Sequence, residues 1–258
     1  MNVLVFDIET VPDTDTGRRM YDIDGLDEAG VAKVMASYRK QETEGRTEFL
    51  RHHLHRVVAI AAVLRTDDRL NVWSLGEVDS GEKELLQRFF DGIERYTPTL
   101  VSWNGGGFDL PVLHYRALYH GVNAARYWES GEDDTGFRWN NYLNRFHARH
   151  TDLMDVLSAY QARAAAPLHE IATLLGFPGK IGMQGGDVWQ AWLDGRLADI
   201  RAYCETDVLN TYLIWLRYEL MRGRLSDTAL AGECARLRDY LAAEDRGLFK
   251  EFLAAWRP

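Results

Sequence analysis

Apolar residues form short continuous runs in the first part of the chain and recur at helical spacing in the second part. Continuous runs rich in Val, Ile, Leu and Phe are typical of strands that are covered on both faces. The runs lie at residues 2–7, 56–64, 70–75 and 99–103, and residues 149–153 are expected to add a short fifth strand. The pattern therefore predicts five strands, and the first of them ends at Asp7.

Helical periodicity separates these strands and then dominates the chain. Between the third and fourth strands, apolar residues from Leu85 to Ile93 form a single stripe, which predicts an amphipathic helix over residues 81–96. Further helices are predicted at residues 28–39, 109–120, 154–160, 167–175, 186–193 and 198–221, and two more follow Ser226. Three hairpin-like strands followed by strand–helix alternation favour a mixed α/β sheet.

The composition fits one globular domain, because 258 residues with 46% hydrophobic content can bury a full core. No apolar run approaches ~20 residues and no signal-peptide pattern precedes Val3, so we expect a soluble, cytoplasmic protein without membrane contact. Cys204 and Cys234 show no metal-ligand spacing, which argues against both a disulfide framework and a zinc site. The net charge of −9 argues against a broad nucleic-acid-coating surface but permits a local groove.

Candidate chemistry begins where the first apolar strand runs into Asp7 and Glu9. Residues two apart in an extended chain point the same way, so the two carboxylates should lie side by side. Like charges at that distance repel each other, and a divalent metal ion would explain the pair.

Two further stretches carry acidic residues: Trp103-Asn104-Gly105-Gly106-Gly107-Phe108-Asp109 and Tyr203-Cys204-Glu205-Thr206-Asp207. Each stretch also has a purely structural interpretation. Asp109 can cap a helix, and Tyr203 and Asp207 can form an ordinary exposed pair four residues apart. The pair at Asp7 and Glu9 can simply end a strand.

In this order and spacing, the three stretches resemble the D-x-E, N-x-x-x-F-D and Y-x-x-x-D motifs of the DEDD superfamily of 3′ to 5′ exonucleases. The tyrosine form, DEDDy, is similar to the proofreading exonuclease domain of family B DNA polymerases, and the chain looks like a free-standing relative of that domain. The resemblance implies an RNase H-like mixed five-stranded sheet with helices on both faces. Residues 1–258 would form a single exonuclease domain, with insertions near 12–54 and 123–150 and a helical extension at 226–258.

The resemblance also implies a role for each motif residue and a pair of cofactors. Two divalent ions, Mg²⁺ or Mn²⁺, about 4 Å apart can activate water, relieve charge on the phosphate and assist the departing 3′ oxygen. Asp7 would bridge both ions, Glu9 and Asp207 would complete the nucleophile-side ion, and Asp109 would hold the other largely through water. Tyr203 would orient the attacking water, because a phenol with a pKa near ~10 positions water more readily than it deprotonates it.

Contacts to nucleic acid are predicted at Asn104, Gly105, Phe108 and Lys180. The glycines after Asn104 can let a nucleotide approach the backbone or can simply permit a tight turn. Phe108 can stack on the terminal base or belong to the core. The aromatic residues between positions 127 and 146 suit either a single-strand stacking platform or the packing of an inserted lobe, and the packing interpretation is favoured.

Histidines at positions 52, 53 and 55 form the densest basic patch together with two arginines. We expect a solvated loop there, or contacts to phosphate, rather than a metal site, because adjacent imidazole rings rarely converge.

The function expected from these residues is metal-dependent 3′ to 5′ hydrolysis of DNA, with a single-stranded 3′ end as the favoured partner. One alternative is a 3′ to 5′ exoribonuclease, since no residue in the sequence can be assigned to the 2′-hydroxyl contact that would distinguish RNA from DNA. The other is a catalytically silent nucleic-acid-binding module, against which the intact motifs argue. No protein partner is indicated.

Overall fold

The computed structural model describes residues 2–257, which form a five-stranded mixed sheet. Its strands are β1 (Val3–Pro12), β2 (His55–Arg65), β3 (Leu70–Ser74), β4 (Thr99–Ser102) and β5 (His150–Asp152). The spatial order is β3-β2-β1-β4-β5. Strand β2 runs antiparallel to β1 and β3, whereas β4 runs parallel to β1 and β5. This arrangement confirms the predicted RNase H-like mixed sheet.

The helices surround this sheet and account for most of the remaining chain. They are α1 (Thr14–Tyr21), α2 (Glu28–Glu42), α3 (Glu82–Tyr96), α4 (Asp109–His120), α5 (Ala125–Trp128), α6 (Leu153–Leu157), α7 (Leu168–Leu174), α8 (Val188–Leu193), α9 (Leu197–Met221), α10 (Asp227–Ala243) and α11 (Gly247–Ala255). The predicted helices are confirmed, although α6 ends earlier than expected. Helices α1 and α5 were not predicted, because both are too short to give a clear apolar period.

Alternate residues of β1 enter two different hydrophobic layers. Val3 and Val5 pack with the residues of α9, whereas Leu4 and Phe6 pack with those of α3 and α4. The sheet is therefore covered on both faces, as its continuous apolar strands predicted. Although α9 is 25 residues long, no helix within residues 2–257 is both long and apolar enough to cross a membrane.

Strand β1 is longer than the sequence predicted, and this changes the position of the first acidic pair. It pairs with β2 from Val3 to Pro12, with an irregularity between Glu9 and Thr10, but it pairs with β4 only from Val3 to Val5. The prediction that the strand ends at Asp7 is therefore wrong. Asp7 and Glu9 lie in the middle of β1, at the point where β4 has ended and left that edge of β1 open.

The segment between β1 and β2 forms a helical pair. Helices α1 and α2 cross closely, and a Cβ atom at Gly17 would lie 2.3 Å from Sδ of Met35. Buried Val31, Met35 and Leu54 form a small core of their own beneath this pair. A 3₁₀ turn at His52–Leu54 then leads the chain into β2 beside the carboxylates of β1.

Candidate functional site

Four carboxylates from three separate elements converge at the open edge of β1. Asp7 and Glu9 project from β1, Asp109 is the first residue of α4, and Asp207 lies in α9. An oxygen of Asp109 accepts a hydrogen bond of 3.1 Å from the backbone N–H of Ile8. Burial raises the pKa of Asp7 well above its usual range, and the charges of Asp109, Glu9 and Asp207 raise it further. The structure therefore brings together all four acidic residues that the motifs singled out.

The other three carboxylates are also harder to ionise than in water. Burial, followed by the charges of Asp207 and Asp109, raises the pKa of Glu9 well above its ordinary value. Burial raises the pKa of Asp109 to about 7, although hydrogen bonds from its own N–H and that of Ile8 oppose the shift. Burial likewise raises the pKa of Asp207 to about 6, against the effects of Tyr203 and Lys180. The cluster therefore binds protons near neutral pH when no cation is bound.

The chemistry of this cluster fits divalent cations. Within residues 2–257, none of the four carboxylates forms a salt bridge with an arginine, lysine or histidine. Buried carboxylates without cationic partners are costly, so they are usually paired or coordinate metals. Hard ions such as Mg²⁺ and Mn²⁺ prefer such oxygen ligands.

Cys204, to which the sequence assigned no role, lies directly beside Asp7. Its thiol is fully buried and donates to both the backbone oxygen and the carboxylate of Asp7 over 3.4 Å. Burial, together with the nearby carboxylates, raises the pKa of Cys204 well above its usual range, so the side chain remains a thiol. Its position within the third motif, between Tyr203 and Asp207, was the one sequence feature that could have indicated a role. The hydrogen bond from the thiol helps to fix the orientation of the Asp7 carboxylate.

Tyr203 lies one helical turn before Asp207 on the same face of α9, as their spacing predicted. The phenol is only 7% exposed and hydrogen-bonds to the carboxylate of Asp207. The interpretation of these residues as an ordinary exposed pair is therefore wrong. Burial and the surrounding carboxylates raise the pKa of Tyr203 well above its usual range, so the hydroxyl keeps its proton.

The glycine-rich stretch after β4 is a tight turn that leads into α4. Asn104 adopts a left-handed conformation with φ of 63°, and a Cβ at Gly105 would lie 2.3 Å from Oγ of Ser102. The carboxylate of Asp152 accepts hydrogen bonds of 2.9 Å from the N–H groups of both Asn104 and Gly106. These contacts explain the glycines by the geometry of the turn. Nucleic-acid contact by Asn104 and Gly105 remains a prediction.

Phe108 lies in a cluster of rings that extends from the turn to the segment between β1 and β2. Its centroid is 5.6 Å from Phe49, 5.7 Å from His52 and 5.1 Å from His55. Phe49 is 58% exposed, and Nε2 of His52 lies 2.9 Å from the carbonyl oxygen of Gly107. No sequence pattern indicates this cluster, because Phe49 and Phe108 are far apart in the chain and share no motif.

His55 does not belong to a solvated loop, contrary to the sequence-based expectation. It is buried and its Nδ1 lies 2.9 Å from Oγ1 of Thr10, the neighbour of Glu9. Burial lowers its pKa to about 4, so the ring is neutral at neutral pH.

The favoured interpretation of the aromatic segment 123–150, packing of its rings, is confirmed for Tyr127, Phe137 and Tyr142, which are buried, whereas other rings there are exposed.

Lys180 is exposed on the loop that precedes α8, and its positive charge acts on Asp207. Lys180 is therefore near enough to Asp207 to lower the pKa of that carboxylate. Its contact with nucleic acid remains a prediction.

Comparison with known sequences gives one family that matches most of the chain and several proteins that match a short stretch. Residues 47–256 match a family described as a predicted 3′-5′ exonuclease related to the exonuclease domain of PolB. A stretch of 42 residues is 48% identical to DNA polymerase 1 of Sulfurisphaera ohwakuensis, covering 16% of this chain and 5% of that protein. A stretch of 43 residues is 49% identical to the catalytic polypeptide of DNA polymerase epsilon from Kluyveromyces lactis, and the same holds for that from Dictyostelium discoideum. These two matches cover 16% of this chain and 2% of each polymerase polypeptide.

Among solved structures, the chain is similar to the family B DNA polymerase from the hyperthermophilic archaeon Pyrobaculum calidifontis. The sequences are 18% identical and the TM-score is 0.49, over 99% of this chain and 27% of that polymerase. The chain therefore spans about a quarter of the length of that polymerase, and the matched stretches are a small part of the three curated relatives.

Proposed function

The chain belongs to the family of predicted 3′-5′ exonucleases related to the exonuclease domain of PolB, and on that premise we propose that it is a metal-dependent 3′ to 5′ exonuclease of the DEDDy type. Its substrate is nucleic acid, as the family implies. The reaction is hydrolysis of the phosphodiester bond at a 3′ end, and single-stranded DNA is the favoured substrate because the short matches are all to DNA polymerases.

The observation that carries the proposal is a cluster of four carboxylates, buried at Glu9 and Asp109 and half-buried at Asp7 and Asp207, none of which forms a salt bridge among the described residues. Burial and mutual repulsion raise the pKa of Asp7, which adjoins the other three. Such an arrangement costs stability unless a cation relieves it. A purely structural cluster would be expected to include arginine or lysine, whereas a cation site requires the carboxylates to remain unpaired.

Two divalent ions would be held by the four carboxylates. Asp7 would contact both, Glu9 and Asp207 would complete one site, and Asp109 would serve the other. When bound, the ions supply charge neutralisation for the phosphate and a lower pKa for water. Asp109 is held for this role by the backbone N–H of Ile8, and Asp7 by the thiol of Cys204.

The phenol of Tyr203 orients the attacking water through its hydroxyl. It is anchored by Asp207 and keeps its proton, because burial raises its pKa. A neutral hydroxyl can donate to one partner and accept from another, so it fixes the direction of a water molecule without removing its proton. This assignment distinguishes the DEDDy chemistry from general-base catalysis by a histidine.

Rings near the site provide a surface for an unpaired base. Phe108 immediately precedes Asp109, and Phe49 extends the ring cluster towards solvent. Stacking on aromatic rings tolerates every base and requires that the base be unpaired. These contacts support a single-stranded 3′ end over an intact duplex.

The proposal is tested with oligonucleotides of one sequence as single-stranded DNA, duplex DNA and RNA, each incubated with Mg²⁺, Mn²⁺ or chelator. A 5′-labelled single strand of DNA should give a descending ladder, and a 3′-labelled one should release mononucleotide early. Faster shortening of RNA would instead identify an exoribonuclease. Retention of the oligonucleotide without shortening would identify a silent binding module, and cleavage in excess chelator would exclude the metal mechanism.

A further inference from the structure

The face of α9 that carries Tyr203 and Asp207 continues to Asn210, which is 1% exposed. The Asn210 side-chain amide forms hydrogen bonds with both the N–H and the carbonyl of one residue in the preceding loop, Gly179. Its Oδ1 accepts a hydrogen bond of 3.0 Å from the N–H of Gly179, and its Nδ2 donates one of 2.8 Å to the Gly179 carbonyl. A third bond of 2.9 Å, to the carbonyl of Thr206, fixes the orientation of the amide.

Gly179 is suited to this contact by its lack of a side chain. Its φ is +65°, a left-handed conformation that most residues avoid. A Cβ there would lie 3.1 Å from Oγ1 of Thr173 and 3.4 Å from the carbonyl oxygen of His169. The backbone at this position is therefore hydrogen-bonded by the Asn210 amide on one side and lies close to α7 on the other.

The loop also lies close to α9 at its far end. A Cβ at Gly185 would lie 3.9 Å from the hydroxyl oxygen of Tyr203. Tyr203 and Asn210 are seven residues apart, or roughly 10 Å along a helix, and Asp207 lies between them. Residues 179–185 thus cross the part of α9 that contributes to the carboxylate cluster. Lys180, the residue directly after the clamped glycine, acts electrostatically on Asp207.

We propose that Asn210 is a positioning residue, which holds Gly179 so that Lys180 lies near Asp207 and meets a phosphate of the bound strand. The inference rests on the proposed function and on the predicted contact of Lys180 with nucleic acid, and it adds the residue that sets the position of Lys180. A merely structural role for Asn210 would tie the loop to α9 without affecting how Lys180 meets the substrate.

A double-mutant cycle separates these roles. Asn210→Ala and Lys180→Ala are compared with the double variant in hydrolysis of a 5′-labelled oligonucleotide. If Asn210 acts through Lys180, each single variant lowers kcat/KM by about 10- to 100-fold, since small misplacements have effects of that size. The double variant should then be no slower than Lys180→Ala, because the two changes remove one interaction. Multiplied effects, or normal kinetics of Asn210→Ala, would overturn the proposal.

A binding measurement tests the same contact without turnover. The Kd of a fluorescent single strand is measured in chelator at several salt concentrations, where each phosphate contact contributes about 0.7 to the slope of log Kd against log salt. Lys180→Ala and Asn210→Ala should lower this slope by the same amount. An Asn210→Ala slope equal to that of the wild type would contradict the proposal, even if the wild type shortens no oligonucleotide.

Gly179→Ala disturbs the Asn210–Gly179 hydrogen bonds by changing the loop and not the helix. It should therefore reproduce the kinetic and salt effects of Asn210→Ala while leaving the core of α9 intact. Asn141→Ala is the matched control, since Asn141 is also a buried amide with backbone partners but lies in the segment 123–150. Asn141→Ala should lower the melting temperature without changing the salt slope. If wild-type protein is active and Gly179→Ala behaves like Asn141→Ala, the inference fails while the proposed function stands.

Discussion

Two clusters of acidic side chains within residues 2–257 differ in whether their charges are paired. In the candidate site, four carboxylates face one another without a cationic partner among the described residues. In the second cluster, Asp13 and Glu82 both bind the guanidinium of Arg116, over 2.5 Å each, and His120 lies 2.7 Å from Glu82. Helix α4 contributes to both, through Asp109 at its start and Arg116 about two turns later.

The paired cluster is a structural device. It joins the start of α1, the start of α3 and the middle of α4, and Glu82 also accepts a hydrogen bond of 2.7 Å from the N–H of Val57 in β2. Its charges neutralise one another inside the protein. The unpaired cluster offers negative charge to something from outside. Burial of acidic side chains alone therefore does not indicate function, whereas the lack of salt-bridge partners does.

The largest expected difference between the clusters is in activity. Asp7→Asn keeps the shape of the side chain but removes a ligand charge, so turnover on single-stranded DNA should fall by at least about 10²- to 10³-fold. Asp13→Asn removes a charge from the paired cluster and should change turnover only a few-fold. Initial rates with Mn²⁺ measure both, and a similar loss in the two variants would erase the distinction.

Stability should respond in the opposite way. Arg116→Met leaves Asp13 and Glu82 buried without their cation, which typically costs about 3–5 kcal/mol of unfolding free energy. For a chain of this size, each kcal/mol lowers the melting temperature by roughly 2–4 °C. Thermal melts in chelator should show this loss for Arg116→Met but none for Asp7→Asn. A stable Arg116→Met variant would show that the paired cluster contributes little.

Within the candidate site, Tyr203→Phe should affect turnover less than Asp7→Asn. The substitution keeps the ring in its buried place and removes only the hydroxyl, so we expect a loss on the order of 10²-fold. The shift in melting temperature caused by Mn²⁺ should remain, because the four carboxylates are intact. Turnover equal to that of the wild type would show that the hydroxyl has no role.

The pH dependence of stability should have opposite signs in the two clusters. The folded pKa of Asp109 is raised to about 7 from 3.8, so its contribution to metal-free stability is greatest below pH 4 and is lost as the pH rises towards 7. Burial tends to raise the pKa of Asp13, but hydrogen bonds from Thr16 and the charge of Arg116 outweigh it, so the pKa is lowered. The contribution of Asp13 to the free energy of unfolding is therefore present above its ordinary pKa of 3.8 and is lost as the pH falls below that value.

Melting curves in chelator from about pH 2 to pH 8 test these signs. Relative to wild type, Asp109→Asn should gain stability as the pH rises, by a few kcal/mol at most, since one pKa unit corresponds to about 1.4 kcal/mol. Relative to wild type, Asp13→Asn should lose stability as the pH rises through the lower part of the same range. Parallel curves for both variants would contradict the assigned pKa shifts.

Much of this picture could be predicted from the sequence where the signal was local. Continuous apolar runs located the strands, and helical spacing located α9 together with the common face of Tyr203 and Asp207. The end of β1 could not be predicted in this way. It is decided by pairing with β2, where the small residues Ala59 and Ala61 lie opposite Glu9 and Asp7 and allow the strand to continue.

Contacts between distant segments of the chain could not be predicted from periodicity in the sequence. Arg116 meets a carboxylate 103 positions earlier in the chain, and Asn210 binds a glycine 31 positions earlier. Neither spacing matches a helix or strand repeat, so only the folded chain reveals them. For the same reason the sequence could indicate which acids belong to a motif but not which acids lack a counter-charge.

The most direct test of that central distinction is a set of thermal melts of wild type, Asp207→Asn and Glu82→Gln, each with chelator and with saturating Mn²⁺. Binding at about 100 times Kd should stabilise the wild type by about 2.7 kcal/mol. We expect Asp207→Asn to melt at or above the wild-type temperature in chelator and to lose the Mn²⁺ shift, whereas Glu82→Gln should melt lower and keep it. Clear destabilisation of Asp207→Asn in chelator together with an unchanged Mn²⁺ shift would contradict the assignment of the unpaired carboxylates as a metal site.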